Sequence, residues 1–256
     1  MKKVIGFVVG IAVVAAVIVG VTYEMNHGNR WTQSSSEEAA VATTTPSAAT
    51  STPATGDDAA LQAEATRLLD QPATVDPSLN LSDSVRQMAL QKIKDSTDML
   101  RANYNYANPW YDLSAYRRMI GDYNGAIDDL LFVTKIRPDD FVSLNDLGDL
   151  YAFLKNYPKA ESSYLASIDK NPQNVDAYVA LAGIYQYNDP ANASQIVPLL
   201  QKGVAANPKD SRLLVTLGEY EKNIGNTAEA KTYLNQALAL DPSNTALQQE
   251  IAALGQ

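Results

Sequence analysis

Cysteine is absent from this chain of 256 residues, and His27 is its single histidine. Without cysteine the protein has no disulfide framework, no thiol nucleophile, no iron–sulfur cluster and no thiolate-ligated zinc. Any mechanism that pairs a serine or a zinc ion with histidine would have to use His27. Positive charge is also scarce, because 20 Lys and Arg face 29 Asp and Glu for a net charge of −9. This balance disfavours binding to the phosphates of nucleic acids.

Residues 4–22 contain no charged side chain and consist mostly of Val, Ile, Ala and Gly. As a helix this run would span about 28 Å, which is close to the thickness of the hydrocarbon core of a membrane. It is longer than the apolar core of most cleaved signal peptides and is not followed by small residues. We therefore predict a single-pass transmembrane anchor within residues 1–31, and a cleaved signal peptide is the alternative.

The positive charges that flank this run predict its orientation. Lys2 and Lys3 precede it, whereas only Arg30 follows closely. We expect a cytoplasmic N-terminus and a C-terminal domain on the extracytoplasmic side of the cytoplasmic membrane. Gly6 and Gly10 have the spacing with which two membrane helices approach closely, which suggests a homodimer. The alternative is that glycine is simply common in membrane spans.

Residues 32–58 are rich in Ser, Thr, Ala and Pro and contain no aromatic residue. A segment of this kind has too little apolar surface to offset the entropy cost of folding. We predict a disordered linker with a reach of about 30 Å. Two helices are expected within residues 59–106, from Ala59 to Asp70 and from residue 82 or 83 to about residue 103. The sequence does not indicate what they pack against.

A repeat organises the chain from residue 107 onward. Pro138, Pro172, Pro208 and Pro242 recur at intervals of 34, 36 and 34 residues. A fixed period of this length is typical of arrays of supersecondary units. The repeat region 107–242 divides into four units, and a capping helix is expected in residues 243–256. The units comprise residues 107–140, 141–174, 175–210 and 211–244.

Equivalent positions of the four units hold similar side chains. Large apolar residues occupy one column, small residues follow directly after it, and alanine opens a second helix in three of the units. Small residues allow two antiparallel helices to cross closely, and each helical pair leaves an apolar face that the next pair covers. The pattern predicts an all-α stack of helical hairpins. The columns are Leu113, Leu147, Leu181 and Leu217; Ser114, Gly148, Ala182 and Gly218; and Ala126, Ala160 and Ala230.

These columns resemble the tetratricopeptide repeat family, whose motif is W-x2-L-G-x2-Y, then A-x3-F and a closing P. The resemblance covers the four units and implies a right-handed superhelical solenoid that binds proteins or peptides. It implies neither a cofactor nor catalysis. The best match in this sequence consists of Leu147, Gly148, Tyr151, Ala160, Tyr164 and Pro172.

Two departures from the family pattern carry structural expectations. Arg117 and Glu221 stand in the outer units where the inner units have the family's tyrosine, as terminal repeats are often atypical. The third unit is two residues longer and has Pro198 inside its second helix. Because proline interrupts helical hydrogen bonds, we predict a local irregularity there and a wider gap between its two helices.

The resemblance places ligand-binding positions on the first helix of each unit, along a concave groove. The family's clamp for a terminal carboxylate is absent, since its lysine, asparagine and arginine positions are not matched here. We predict a groove for an extended segment with a basic residue and an apolar anchor; the alternative is an acidic helix surface that is merely solvated. The candidate residues are Tyr111, Asp112, Arg118, Asn145, Asp146, Asp149, Phe153, Gln186, Tyr187 and Glu219.

Anchor, linker and repeat array together predict a membrane-tethered scaffold or adaptor that recruits protein partners. A holdase chaperone for exported proteins is the alternative. An enzyme is disfavoured, because paired carboxylates such as Asp128 and Asp129 are sequence neighbours that point apart on a helix. The sequence also has no glycine-rich phosphate loop and no calcium-binding loop. We predict no catalytic residue, no cofactor and no metal site.

Overall fold

The structure is a computed structural model of the chain, and it describes residues 56–254. The predicted anchor, the Gly6 and Gly10 pair and most of the predicted linker lie outside this range, and so do the last two residues. Within residues 56–254, no helix combines the length and the apolar character that a membrane crossing requires.

The described residues form eleven α-helices and one short 3-10 helix. The first helix begins at Gly56, so the last three residues of the predicted linker are helical. The α-helices are α1 (Gly56–Leu69), α2 (Asp83–Ala102), α3 (Ala107–Met119), α4 (Tyr123–Ile136), α5 (Phe141–Phe153), α6 (Tyr157–Lys170), α7 (Val175–Tyr187), α8 (Ile196–Ala206), α9 (Arg212–Asn223), α10 (Thr227–Leu240) and α11 (Thr245–Ala253).

Helices α3 to α10 form four consecutive hairpins that stack on one another. The two helices of each hairpin pack together, and the second helix of each hairpin also packs against the first helix of the next. Helix α11 packs against α10 at the C-terminal end. The predicted all-α class of stacked helical hairpins is confirmed over the described residues.

Small residues stand where the second helix of a hairpin approaches the first most closely. A Cβ atom on Gly148 would lie 2.5 Å from a ring carbon of Tyr164, and one on Gly218 would lie 2.5 Å from the end of Leu234. In the first hairpin, the Ser114 hydroxyl donates a hydrogen bond to the Ala126 carbonyl oxygen at 3.1 Å. The column of small residues therefore sets the spacing between the helices of a hairpin.

The turns inside the hairpins use a residue with positive φ. Gly121, Lys155 and Gly225 have φ angles of 86°, 60° and 87° at equivalent places in the first, second and fourth repeats. The following residue is the N-cap of the next helix. The side chains of Asp122 and Asn156 accept hydrogen bonds from backbone N–H groups of the first turn. Glycine tolerates the left-handed region without the strain that a Cβ atom causes.

The third hairpin contains the irregularity that its proline residues predict. Residues Pro190–Gln195 form a 3-10 helix between α7 and α8. Helix α8 begins at Ile196, which places Pro198 in its first turn, where the missing N–H would have no partner within the helix anyway. The extra residues are thus accommodated in the 3-10 helix before α8, and the predicted wider gap stays a prediction.

The two helices before the repeats cover the first hairpin. Helix α2 packs against α3, whereas α1 packs against α2 and α4. An ion pair of 2.6 Å joins Lys135 on α4 to Glu64 on α1. The segment between α1 and α2 is bound as well, since the Asp76 N–H donates to the Ile120 carbonyl oxygen at 2.8 Å. These helices are therefore part of the folded body.

The apolar interior of the described residues forms two clusters. The larger one runs from Ala65 on α1 to Leu217 on α9. The smaller one lies at the C-terminal end, where Leu247 of α11 joins Leu214, Leu234 and Ala237. Helix α11 thus covers the apolar face that the fourth hairpin would otherwise expose, as the sequence pattern predicts.

Candidate interaction surface

Tyr111 was expected to present its ring in the groove, and the structure corrects this prediction. The residue is only 8% exposed, and its hydroxyl donates a hydrogen bond to the Asp140 carboxylate. Burial is the main cause that raises the pKa of Tyr111, and the hydrogen bond to Asp140 adds to it. Asp140 also accepts from the Ser143 N–H at the start of α5. Tyr111 therefore bonds the residue that caps α5, the first helix of the second repeat, and cannot serve as an open anchor.

Asn145 and Asp149 belong to a hydrogen-bond network within the second repeat. The Asn145 side-chain oxygen accepts from the Asn174 amide at 3.0 Å, and the Asn145 amide donates to Asp149 at 3.4 Å. The Tyr164 hydroxyl donates to the other oxygen of Asp149 at 2.6 Å. A partner would have to share these groups with the array itself.

Asp112, Arg118 and Asp146 lie on the neighbouring part of the predicted groove. Asp112 is exposed, and its partial desolvation raises its pKa while the positive charge of Lys92 on α2 opposes that rise. Arg118 and Asp146 are half-buried, and each has an interaction within the described residues. Helix α2 therefore contributes charge to this region, which the sequence pattern did not indicate.

Phe153 and Tyr187 are the aromatic candidates that the structure leaves open to solvent. They are 62% and 71% exposed, and they occupy the same place, the last residue of the first helix, in consecutive repeats. The Phe153 ring lies 4.9 Å from the ring of Tyr123, with the ring planes tilted by 45°. We call Tyr123, Phe153 and Tyr187 the aromatic rim. Large exposed rings of this kind are common contact residues in protein interfaces.

The remaining candidates lie beyond the aromatic rim. Gln186 is half-buried, and Glu219 is exposed on α9. The basic residues of α9 are paired, because Arg212 contacts Asp176 of the preceding repeat at 2.6 Å and Lys222 contacts Glu250 on α11. The first pair connects the third and fourth repeats and the second connects the fourth repeat to α11, so the array offers little positive charge to a partner here.

A cavity of about 350 Å³ lies at the turn of the first hairpin. The segment after α1 forms one wall and the turn before α4 forms the other. Sequence reasoning missed it, because the wall made by residues 71–74 comes from outside the repeats. Its lining includes Gln71, Pro72, Asp122, Tyr123, Asp128 and Leu154.

Arg117 closes the inner side of this cavity. Only 2% of its side chain is exposed, and its guanidinium lies 3.4 Å from the fully buried carboxylate of Asp129. It also donates to the Gln71 carbonyl oxygen at 3.4 Å and lies 3.8 Å from Asp122. Burial raises the pKa of Asp129 well above its usual range, although Arg117 opposes this. An arginine in the tyrosine column was the one sequence signal that pointed here.

The comparisons with known proteins agree with this architecture. Residues 211–244 match the family model described as Tetratricopeptide repeat. The crystal structure of MamA is similar to this chain with a TM-score of 0.51 and 19% identity, over 66% of this chain and 98% of that one. A likeness at this identity concerns the fold. Residues 211–244 thus carry a tetratricopeptide repeat, and the fold of the described residues is similar to that of MamA.

Two curated relatives share part of the sequence. The chain is 25% identical to Protein FlbA of Caulobacter vibrioides over 197 residues, which are 74% of this chain and 32% of the relative. It is 25% identical to BBSome complex member BBS4 of Bos taurus over 126 residues, which are 49% of this chain and 24% of the relative. The chain therefore spans about a third or less of the length of these proteins.

Proposed function

We propose that this tetratricopeptide repeat protein is a membrane-anchored interaction scaffold that binds a protein or peptide partner through its repeat array. The observation that carries the proposal is the aromatic rim, where Phe153 and Tyr187 recur at one repeat position and remain exposed. Stacked hairpins hold such residues at fixed distances from each other, so a partner meets a preorganised row of contacts.

The site of binding shifts from the one that the sequence suggested. Tyr111 is buried, and Asn145 and Asp149 take part in the internal network. Phe153 and Tyr187 at the ends of α5 and α7 provide the apolar contacts, and the exposed carboxylates of Asp112 and Glu219 favour a basic partner. The partner segment that fits these residues is extended, with apolar side chains spaced one repeat apart.

The membrane attachment in this proposal rests on the sequence alone. The uncharged run at residues 4–22 is long enough to cross a bilayer, and the lysines before it favour a cytoplasmic N-terminus. Together with the predicted linker at residues 32–58, this places the repeat array on the extracytoplasmic side. Partners would then be proteins of that compartment or extracytoplasmic parts of membrane proteins.

A holdase chaperone is the second candidate. Such a protein binds many unfolded chains through a broad apolar surface. Phe153 and Tyr187 are large, but the half-buried Gln186 stands beside Tyr187 and the acidic residues above lie on neighbouring helices. A few rings among polar residues favour one partner over many. Suppression of aggregation of several unrelated client proteins by the full chain would favour the holdase instead.

Crosslinking of the full chain in its native membrane, followed by mass spectrometry, tests the scaffold proposal. We expect one stoichiometric partner, and we expect Phe153→Ala combined with Tyr187→Ala to reduce its capture at least about ten-fold, as for central aromatic contacts. The matched control is Leu131→Ala combined with Leu165→Ala, which removes two exposed apolar residues of the second helices. Equal capture by both double variants would refute the aromatic rim as the binding surface.

A further inference from the structure

The cavity at the turn of the first hairpin has the size and the lining of a side-chain binding site. Its volume of about 350 Å³ lies at the lower end of the range typical of ligand pockets. Pro72, Tyr123 and Leu154 supply apolar wall, and Asp122 and Asp128 supply carboxylates. Tyr123 also belongs to the aromatic rim, because its ring contacts Phe153. A partner segment on the rim would therefore pass the mouth of the cavity.

The charges around the cavity are not balanced. The Arg117 guanidinium lies 3.4 Å from the fully buried Asp129 and 3.8 Å from Asp122. Asp128 lines the same cavity with no basic partner among the described residues. Neither oxygen of Asp129 has a hydrogen-bond donor, and the Arg117 Nε atom has no acceptor. Buried polar groups without partners are uncommon and call for an explanation. The Arg117 side chain donates one hydrogen bond within the described residues, to the Gln71 carbonyl oxygen. Its contacts with Asp122 and Asp129 are ion pairs without a hydrogen bond.

Asp122 and Asp128 therefore retain capacity to bind a cation. One oxygen of Asp122 accepts from the Gly125 N–H at 3.2 Å, and the other lies 3.8 Å from Arg117, beyond hydrogen-bond distance. Asp128 is half-buried and makes no hydrogen bond or ion pair with any described residue. The negative charges of both residues also raise the pKa of Asp129 behind the cavity wall.

The arrangement suits an organic cation better than a metal ion. Among residues 56–254, no cluster of three or more His, Asp or Glu side chains is suited to a metal ion. The apolar walls instead fit the aliphatic stem of a long side chain, whose charged end can reach carboxylates while its methylene groups stay covered. A ring such as that of Tyr123 is also a favourable neighbour for a cation.

We propose that this cavity receives one lysine or arginine side chain of the partner segment, which donates hydrogen bonds to Asp122 and Asp128. This inference rests on the proposed function and adds a basic subsite beside the aromatic rim. The positive charge of the partner side chain would compensate Asp122. Arg117 could then pair with Asp129 alone. Gly125 is required for this geometry, because a Cβ atom there would lie 2.5 Å from both Arg117 and Asp122.

Titration of the isotope-labelled full chain in detergent micelles with N-acetyl-arginine amide, followed by nuclear magnetic resonance, tests the subsite without any partner. We expect saturable shifts of the backbone N–H signals of Gly121, Tyr123 and Gly125. N-acetyl-citrulline amide has nearly the same shape without the charge, and it should bind at least about ten-fold more weakly, since hydrogen bonds to charged groups are the stronger ones. Added salt should weaken the arginine probe as well.

Substitutions of Asp122 and Asp128 test whether these carboxylates bind the arginine probe. Asp122→Asn combined with Asp128→Asn should weaken the arginine probe at least about ten-fold, and asparagine at residue 122 can still cap α4. Asp128→Asn alone leaves that cap untouched, and it should weaken the probe several-fold. The matched control is Asp169→Asn, which removes an exposed carboxylate on α6 and should leave the affinity unchanged.

Three results would overturn the proposal. Equal binding of the citrulline probe would show that charge is not recognised, and unchanged affinity in both Asp128 variants would place the probe elsewhere. The same signal shifts on addition of calcium ions alone would show a metal site instead. None of these results affects the capture of a partner by the aromatic rim, so the subsite and the scaffold function fail independently.

Discussion

At the scale of single residues, one repeat position shows how the array treats polar groups. Tyr185 donates its hydroxyl to Glu161 at 2.6 Å, and Glu221 accepts from the side chain of Asn226 at 2.7 Å. Arg117, at the equivalent place in the first repeat, faces Asp129. Each side chain reaches a partner of matching chemistry, because an unpaired polar group in the interior is costly. The hydrogen bond of Asn226 compensates Glu221, whereas the pair of Arg117 and Asp129 leaves both Asp129 oxygens without a hydrogen-bond donor.

Gly148 offers a prediction at the same scale. Replacing it with alanine would put a Cβ atom 2.5 Å from the Tyr164 ring, and that ring is held by the hydrogen bond of its hydroxyl to Asp149. We expect Gly148→Ala to lower the free energy of unfolding by about 1–3 kcal/mol, measured by urea denaturation of the full chain.

Gly183 is the matched control for this substitution. It also lies in the first helix of a hairpin, but no atom stands within 4 Å of the position that its Cβ would take. Gly183→Ala should raise the free energy of unfolding by about 0.5–1 kcal/mol, because alanine loses less backbone entropy in a helix. A loss of stability in both variants would mean that the close approach of Tyr164 is not the cause.

At the scale of elements, the helices of the hairpins were predictable and the contacts of the segment before them were not. The spacing of Pro138, Pro172 and the later prolines repeats the same local pattern, so each hairpin follows from its own sequence. The stretch between α1 and α2 has no such period. Its position depends on the Asp76 N–H bonding to Ile120, a contact between residues distant in sequence. Such pairings leave no local signal.

The two turn glycines allow the energy of the contact between Asp76 and the first hairpin to be measured. Gly121 and Gly225 have nearly the same positive φ, but a Cβ atom at Gly121 would lie 2.4 Å from the Asp76 Cβ, whereas Gly225 has open space around it. Alanine costs about 1–2 kcal/mol at either place through backbone strain. We expect Gly121→Ala to lower the free energy of unfolding by at least about 1 kcal/mol more than Gly225→Ala does, since Asp76 must also move.

Denaturation of the two variants side by side isolates the steric term, since the strain of the turn is common to both. Hydrogen exchange should show faster exchange at the Asp76 N–H in Gly121→Ala and not in Gly225→Ala. Equal losses of stability in the two variants would argue that the segment after α1 does not press on the first hairpin.

At the scale of the whole molecule, the order of the hairpins was predictable, and the exposure of the candidate groove residues was predictable only in part. Phe153 and Tyr187 share a repeat position, and repeat positions can be read from the period. The burial of Tyr111 depends on Asp140 in the following loop, and the cavity depends on residues 71–74 from outside the repeats. A periodic sequence thus indicates which side chains are equivalent, whereas non-local packing decides which of them stay exposed.

The division of the apolar interior into two clusters predicts how stability varies along the array. In a stack where each hairpin contacts its neighbours, the loss of one contact lowers the stability of the nearby hairpins most and that of distant hairpins least. Leu247 is 5% exposed and joins α11 to the smaller cluster with Leu214 and Leu234. Leu247→Ala should lower the free energy of unfolding by about 2 kcal/mol. This is the lower end for a buried leucine, because the end of an array can relax into the space that the removed side chain leaves.

Hydrogen exchange then shows where that loss is felt. Backbone N–H groups of α9, α10 and α11 should exchange faster in Leu247→Ala, while those of α3 to α6 keep their protection, because the larger cluster reaches them without Leu247. Gln249→Ala is the control, since its side chain is exposed on the same helix and its loss should change no rate. Equal acceleration in α4 and α10 would mean that the hairpins unfold as one cooperative unit, against the nearest-neighbour behaviour that their stacking implies.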